Sequence, residues 1–244
     1  MIDMKAFLRT SKQGNPKHND RDFDLTHEDN DGHIDINRQH LNIYWHCYQD
    51  TEPELSFYDA EMKYYKEHYQ DTVNRTNEAA IKARHKERMT TVAKIYNSSK
   101  THPDETILQI GNRNDNIDLN TFTLCVEEYI EELKQYSDHI HILDYAIHGD
   151  EESPHAHIRQ VFDYEDKDGF LHISTRKALA LEHFERPDPL QEENILNNNK
   201  VSFTKHMRTK WQDICEHHGF EIEREPEIFS YHKEKDQYIE DQKQ

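Results

Sequence analysis

The stretch from Ile140 to His157 constrains this chain more than any other. It is apolar from Ile140 to Ile147, broken only by His141, Asp144 and Tyr145. It then reads His148-Gly149-Asp150-Glu151-Glu152-Ser153-Pro154-His155-Ala156-His157. His155 and His157 stand two apart, so on a β-strand both imidazoles leave the same face. If both runs are strands, the turn between them folds a hairpin that carries His148 towards the pair. Three nitrogen donors then converge, with Glu151 as a fourth ligand or as a group that orients one. Asp150 reads as an acceptor of an imidazole N–H, which turns the opposite ring nitrogen to the metal. Such a set holds a divalent metal and leaves positions for a substrate oxygen. Pro154 shapes the turn and keeps Ser153 extended.

With 19 histidines in the chain, a bare H-x-H pair is expected roughly once or twice by chance. His139-Ile140-His141 is a second such pair, and no carboxylate or proline is arranged around it. The fixed positions of His148-x-Asp150-Glu151-x-x-Pro154-His155-x-His157 set the other pair apart.

That pattern resembles the signature of the Pre/Mob plasmid mobilisation and recombination proteins, the MobV relaxases of the HUH endonuclease superfamily. A second match lies near the N-terminus. Lys17-His18-Asn19-Asp20-Arg21 is similar to the family's H-N-x-R motif. Ile34-Asp35-Ile36-Asn37-Arg38-Gln39-His40-Leu41-Asn42 is similar to its I-D/N-x-x-R-x-x-L-N segment. The resemblance runs from about Asn15 to Arg224. It implies an α+β fold with an antiparallel HUH-type central sheet and long helices packed around it.

The resemblance also implies a function: a metal-dependent relaxase that nicks one DNA strand at an origin of transfer. His18 would attack phosphorus and leave a covalent phosphoramidate on the 5′ phosphate. Neutral imidazole is a competent nucleophile near pH 7. Arg21 would contact phosphate, and Glu151 would serve the chemistry as well as the metal. Family members commonly carry Tyr directly after the Asn of the L-N segment. Here Ile43 follows Asn42 and Tyr44 comes next, so Tyr44 is a reserve nucleophile. Lys17, Arg38 and Asn42 read as DNA contacts, Leu41 and Ile43 as packing. The expected cofactor is Mn2+, with Mg2+, Zn2+, Ni2+ and Co2+ as alternatives. The expected partners are single-stranded or hairpin DNA and other relaxosome or conjugation proteins.

Charge resists this picture. The net charge is −19, whereas a nuclease must approach a polyanion. Its distribution softens the conflict: Lys5, Arg9, Lys12, Lys17 and Arg21 surround the His18 motif. Further on come Lys82, Arg84, Lys86, Arg88, Lys94 and Lys100. On a helix Lys82/Lys86 and Arg84/Arg88 are i, i+4 neighbours and form a stripe for DNA. Three rivals therefore stand beside the relaxase: a rolling-circle replication initiator, a DNA-binding regulator of HUH fold without activity, and a hydrolase of a small phosphoester.

Mean hydropathy of −1.13 and 34% hydrophobic content imply a modest core with long solvated helices. No stretch approaches the roughly eighteen apolar residues of a membrane span, and Met1–Arg9 lacks a signal-peptide core. Cys47, Cys125 and Cys215 are isolated; together these features point to the cytoplasm. The chain is read as one nuclease domain over 1–225 and a polar tail over 226–244. Within the domain, a short strand falls before residue 21, a turn at Asn30-Asp31-Gly32, and helix from Glu54 to about Tyr96, as two helices or one broken one. A strand at 106–110 closes at Gly111, and a helix runs from Asp118 or Asn120 to about Tyr136. The site strands fall near 139–147 and 155–164. Asp166–Gly169 is a hairpin turn, Ser174 caps a short helix to about Phe184, and a final helix runs from about Ser202 to His218 before Gly219.

Overall fold

A computed structural model describes residues 4–11, 14–23, 34–112 and 115–224. The turn expected at Asn30–Gly32, Lys12 and the tail from Pro226 lie outside the described residues. Six strands form one antiparallel sheet: β1 (Ala6–Ser11), β2 (Ile43–His46), β3 (Asp104–Ile110), β4 (Ile140–His148), β5 (His155–Glu165) and β6 (Leu171–Ile173). Their order is β1-β3-β5-β4-β2, with β6 added to the far end of β5. The helices are α1 (Pro16–Asn19), α2 (Phe57–Lys82), α3 (Val92–Tyr96), α4 (Leu119–Lys134), α5 (Thr175–Leu181) and α6 (Asn199–His217).

Both faces of the central strands are covered, which explains why β5 is apolar or buried almost throughout. Leu108, Ile158 and Phe162 pack with Phe122, Val126, Tyr129 and Ile130 of α4 and Trp211 of α6. Each such side chain, fully buried, contributes about 1.5–3 kcal/mol. The opposite face carries Leu143 and Val161 against Tyr64, Tyr65, Tyr69 and Val73 of α2 and Tyr96 of α3. This is the α+β architecture expected from the sequence.

The expected element positions are met, with shifts at the ends that have local causes. Asp118 caps α4 by accepting from Thr121 N, and Ser174 caps α5 through Lys177 N. α6 starts earlier than expected because Asn198 supplies its cap through Val201 N; it ends before Gly219, whose φ is +90°. The basic stripe is not formed. α2 stops at Lys82, Arg84 takes φ +59°, and the N–H groups of Arg84 and His85 bond Ile81 O and Ala80 O. This is a Schellman ending with an arginine in the left-handed position, so no glycine marks it in the sequence. Lys86–Arg88 then makes a 3-10 turn, and Lys82, Arg84, Lys86 and Arg88 are exposed around this bend rather than along one helix face.

One irregularity aims the site. In the β4/β5 ladder Ile142 pairs Gln160, and Asp144 pairs the next residue, Arg159, leaving Leu143 as an extra residue. A strand alternates faces with period two, so the added residue reverses the alternation downstream. His148 is thereby placed opposite His155, on the face that also holds His157 and Arg159. Without the bulge His148 would enter the α4/α6 core.

Candidate metal centre and nucleophile turn

The hairpin turn between β4 and β5 is pinned from one side by the segment 34–42. Asn42 Oδ1 accepts from the N–H groups of Gly149 (2.8 Å) and Asp150 (3.1 Å), and its Nδ2 donates to Asp150 Oδ2 (2.7 Å). Asp35 N donates to Asp150 O at 2.7 Å, and Arg38 Nη1 reaches Glu151 O at 3.4 Å. A Cβ on Gly149 would stand 2.9 Å from Leu41 Cβ and 3.1 Å from Leu41 O, so this close approach requires glycine.

The three histidines meet as expected. Ring centroids of His148, His155 and His157 lie 5.0–5.1 Å apart, and one ligand atom from each falls within 4.8 Å of the others. The tautomers of two of them are set by carbonyl oxygens, which can only accept. His148 Nε2–H donates to Asn19 O (2.8 Å), and His155 Nδ1–H donates to Ser153 O (3.0 Å). The remaining nitrogens, His148 Nδ1 and His155 Nε2, therefore face each other at 3.3 Å as two lone pairs. That contact is repulsive unless a cation stands between them. Two nitrogens about 2.1 Å from one tetrahedral ion are about 3.4 Å apart, so the pair fits a metal. Both ring nitrogens of His157 are buried without a hydrogen bond. Its Nδ1 is 3.2 Å from Glu105 Oε1 but lies off the hydrogen-bonding direction. Burial, then neighbouring imidazoles and Arg21, hold His148 well below the usual histidine range. Burial and His157 lower His155. Neutral imidazole is the ligand form.

Glu151 Oε1 lies 3.9 Å from both His148 Nδ1 and His155 Nε2. The same oxygen accepts from Arg21 Nη2 at 2.8 Å. Asp150 does not meet an imidazole N–H. It is fully buried and takes a two-point contact from Arg21 (Nη2 to Oδ1 2.7 Å, Nε to Oδ2 3.1 Å) together with the Asn42 amide. Burial would raise its carboxyl, but Arg21 and Asn42 outweigh burial and lower it. Arg21 adopts φ +59°, uncommon for a residue with a Cβ, and is itself 9% exposed. Its guanidinium is turned to the carboxylates of the hairpin turn.

That contact joins the two distant motifs. α1 carries His18 to the histidine cluster, with ring centroids 6.0 Å from both His148 and His157. Arg21 Nη1 lies 3.4 Å from His18 Nε2; arginine only donates, so Nε2 is the lone-pair nitrogen and the proton sits on Nδ1. Burial, then Arg21 and His157, lower the His18 pKa and keep the ring neutral. Tyr44 is close by, its hydroxyl accepting from Asn42 Nδ2 at 2.9 Å, and burial raises its pKa. Lys17 is exposed and 4.0 Å from Asp22. Lys82, Arg84, Lys86 and Arg88 belong to the far end of α2 and the bend beyond it.

Two residues given no role in the sequence analysis complete the floor: Asn19, named there only within the Lys17–Arg21 motif, and Glu105. Asn19, 1% exposed, presents its carbonyl to His148 and donates through Nδ2 to Glu105 Oε1 at 2.9 Å. Glu105 is brought beside His157 because β3 pairs β5 with Ile107 opposite His157 and Glu105 opposite Arg159. Burial would raise the Glu105 carboxyl; His157, Asn19 and Arg159 prevail and lower it. Gly14 lets the chain pass over this floor, since a Cβ there would come within 2.6 Å of Glu105 Oε1.

No family model and no curated protein matches the chain. Solved structures do. The MobM relaxase domain (MOBV; Mob_Pre), Mn-bound at pH 6.5 on 23 nucleotides of plasmid pMV158 oriT DNA, is 18% identical over 100% of both chains, with a TM-score of 0.53. Its 22-nucleotide complex at pH 4.6 is 18% identical over 98% of this chain and 100% of that one, TM-score 0.53. The complex with a 3′-thiophosphate strand at pH 6.8 is 20% identical over 98% and 99%, TM-score 0.52. The fold is that of the MobM relaxase domain. The likeness spans β1 to the end of α6, so the resemblance read from two short motifs extends to the fold. Among the described residues no helix is long and apolar enough to cross a membrane.

Proposed function

We propose that this chain is a relaxase: a metal-dependent endonuclease and strand transferase that nicks single-stranded DNA at an origin of transfer. The observation that carries the proposal is the place of His18. From more than a hundred residues away in sequence, its imidazole reaches the cluster of His148, His155 and His157, with its lone-pair nitrogen identified. A small-phosphoester hydrolase needs no such nucleophile beside the metal ligands. The MobM neighbours are Mn-bound and carry oriT DNA, which supports Mn2+ and an origin strand here.

His148 Nδ1, His155 Nε2 and a His157 nitrogen would hold the ion, with Glu151 at the edge of the site. The bound ion would polarise the scissile phosphate and offset charge developing on its non-bridging oxygens. His18 Nε2 attacks phosphorus; the N–P bond forms, the P–O3′ bond breaks, and the 3′ oxygen leaves with the electron pair and takes a proton from solvent. The imidazole keeps its Nδ1 proton and carries the 5′ phosphate until a 3′ hydroxyl reverses the step. Arg21 Nη1 holds His18 Nε2 by a long contact that an incoming phosphate oxygen can replace, while Nε and Nη2 keep the hairpin turn in place. Glu105 stands 3.2 Å from His157 Nδ1, near enough for that nitrogen to donate to it after a small ring rotation, which would leave Nε2 for the metal.

The deciding experiment incubates the protein and Mn2+ with supercoiled plasmid from its host. A strand-specific nick with protein on the 5′ phosphate is expected. A metal-loaded protein that gives neither nick nor adduct on any host plasmid would sink the relaxase reading.

A further inference from the structure

A chain of net charge −19 gains little from displacing the counterions of DNA, and the basic stripe that could have compensated is not formed. Affinity for a strand then has to come from contacts that do not depend on phosphate charge. Among the described residues the exposed large aromatic side chains are Phe23, Tyr44 and Tyr58, at 41%, 38% and 37%. All three surround the His18 turn. Phe23 lies parallel to the His18 imidazole, centroids 5.9 Å apart and planes within 9°. Tyr58 follows Phe57, whose N–H bonds Asp20 Oδ2 at 2.8 Å, and Lys17 Nζ stands 6.0 Å over the Tyr58 ring. Tyr44 meets Phe57 edge-on at 6.1 Å, and its hydroxyl is held by the same Asn42 amide that holds Asp150.

Single exposed apolar side chains are ordinary on a protein surface, and need no explanation. Three aromatic rings on the segments that border the His18 turn, when the other large rings among the described residues are buried or half-buried, are not scatter. We propose that Phe23, Tyr44 and Tyr58 form a stacking platform for the unpaired bases that flank the scissile phosphate, so that base stacking outweighs phosphate contact in holding the strand. This rests on the relaxase reading and names how its substrate is recognised. Every base has a π-face, and a duplex hides those faces inside its stack; the platform therefore selects single-stranded DNA near His18. Lys17 beside Tyr58 supplies one cation at the edge of the platform rather than a basic track.

The test uses strands selected on wild-type protein from a randomised pool of single-stranded DNA, with Kd measured across a salt series. Phe23→Ala and Tyr58→Ala should each weaken binding about fivefold to a hundredfold, the range for losing one stacked base. Phe23→Tyr, Tyr58→Phe and Tyr44→Phe should stay near wild type, because a ring remains. Abasic sites at the stacked positions should weaken wild type by a similar factor and cost the alanine variants little more. The slope of log affinity against log salt should not exceed about 2 in magnitude, as for two or three phosphate contacts on a single strand. Manganese affinity, unchanged in every variant, reports that each is folded. Alanine variants and abasic strands that bind like wild type, with a steep salt slope, would overturn the platform and leave the relaxase reading standing. A wild-type protein that retains no strand from the pool would bring down both.

Discussion

The chain holds two His-x-His pairs at the starts of neighbouring strands, and they have opposite fates. His141 faces Asp163, with Nε2 and Oδ1 2.9 Å apart, and that carboxylate is also bonded by Tyr69. His155 faces His148, lone pair to lone pair, at 3.3 Å. An imidazole opposite a carboxylate is a satisfied pair; an imidazole opposite another with both protons fixed elsewhere is a repulsive contact that a shared cation would relieve. The tripeptide is therefore not the signal. What stands across the ladder decides, and β4 sets it with a single extra residue at Leu143.

The sharpest way to break the comparison is to remove one pair at a time and measure metal. The double variant His155→Ala/His157→Ala should lose stoichiometric Mn2+ binding in calorimetry, together with the rise in melting temperature that the metal confers. Glu151→Ala should weaken binding less, since its carboxylate stands 3.9 Å from the facing nitrogens. Unchanged metal content in the double variant would put the two pairs back on an equal footing.

Next in size is the covalent step, which separates the metal from the nucleophile. His18→Ala should abolish the DNA adduct while retaining Mn2+, and Tyr44→Phe should keep the adduct. A phosphoramidate hydrolyses in acid and survives alkali; a tyrosyl phosphodiester withstands mild acid. An acid-stable adduct that vanishes in Tyr44→Phe would move the attack to tyrosine. The raised Tyr44 pKa argues against that outcome, because its hydroxyl holds its proton more tightly than usual.

A smaller effect tests why the second pair is held ready. Glu105→Gln removes the charge facing His157 Nδ1 at nearly constant shape, and its side-chain carbonyl can still accept from Asn19. Mn2+ affinity should fall about tenfold to a hundredfold, as for other partners of metal-bound histidines. The metal-free protein should melt close to wild type, and Glu105→Asp should recover part of the affinity. Equal affinity in wild type and Glu105→Gln would leave His157 oriented by packing alone.

Glu105 also shows where a sequence reading stops. The site strands and the hairpin turn were legible as local patterns of period, proline and spaced polar residues, and His18 through the resemblance of Lys17–Arg21 to the H-N-x-R motif. Glu105 reaches the site only through the register of β3 on β5, and register between strands about fifty residues apart leaves no local trace. The end of α2 was hidden for a different reason: Arg84 adopts the left-handed conformation that glycine usually marks. Asp150 was expected at an imidazole, but Arg21 arrives from the far motif with a better-matched charge and two donors. For Glu105 and Asp150 the deciding contact is distant in sequence, whereas the end of α2 is a local turn that its residue types do not announce.

Acid should separate the pairs more gently. Folding the metal-free protein buries His148 and His155 as neutral rings, with pKa values below those of the unfolded chain. As pH falls below about 6.5, the unfolded state takes up protons that the folded state refuses, so stability drops. The loss approaches about 1.4 kcal/mol per pH unit for each such group, down to its folded pKa. Saturating Mn2+ should raise the whole curve without flattening it, because the metal-bound fold also keeps these rings neutral, and urea midpoints between pH 7 and 5 measure both curves. A metal-free protein equally stable at both ends of that range would contradict the buried neutral cluster.

The smallest effect belongs to the pair that binds nothing. His141→Ala leaves Asp163, 1% exposed, with the Tyr69 hydroxyl at 2.6 Å but without its imidazole. Losing one partner of a buried, still-bonded carboxylate should cost about 1–2 kcal/mol of stability. Manganese affinity and adduct formation should not move, because His141 sits at the opposite end of β4 from His148. His141→Gln, which keeps a donor within reach of Asp163, should regain part of the loss in a urea melt. If His141→Ala instead weakened Mn2+ binding tenfold, the two pairs would be coupled along β4, and the bulge at Leu143 would be the element to examine as the link.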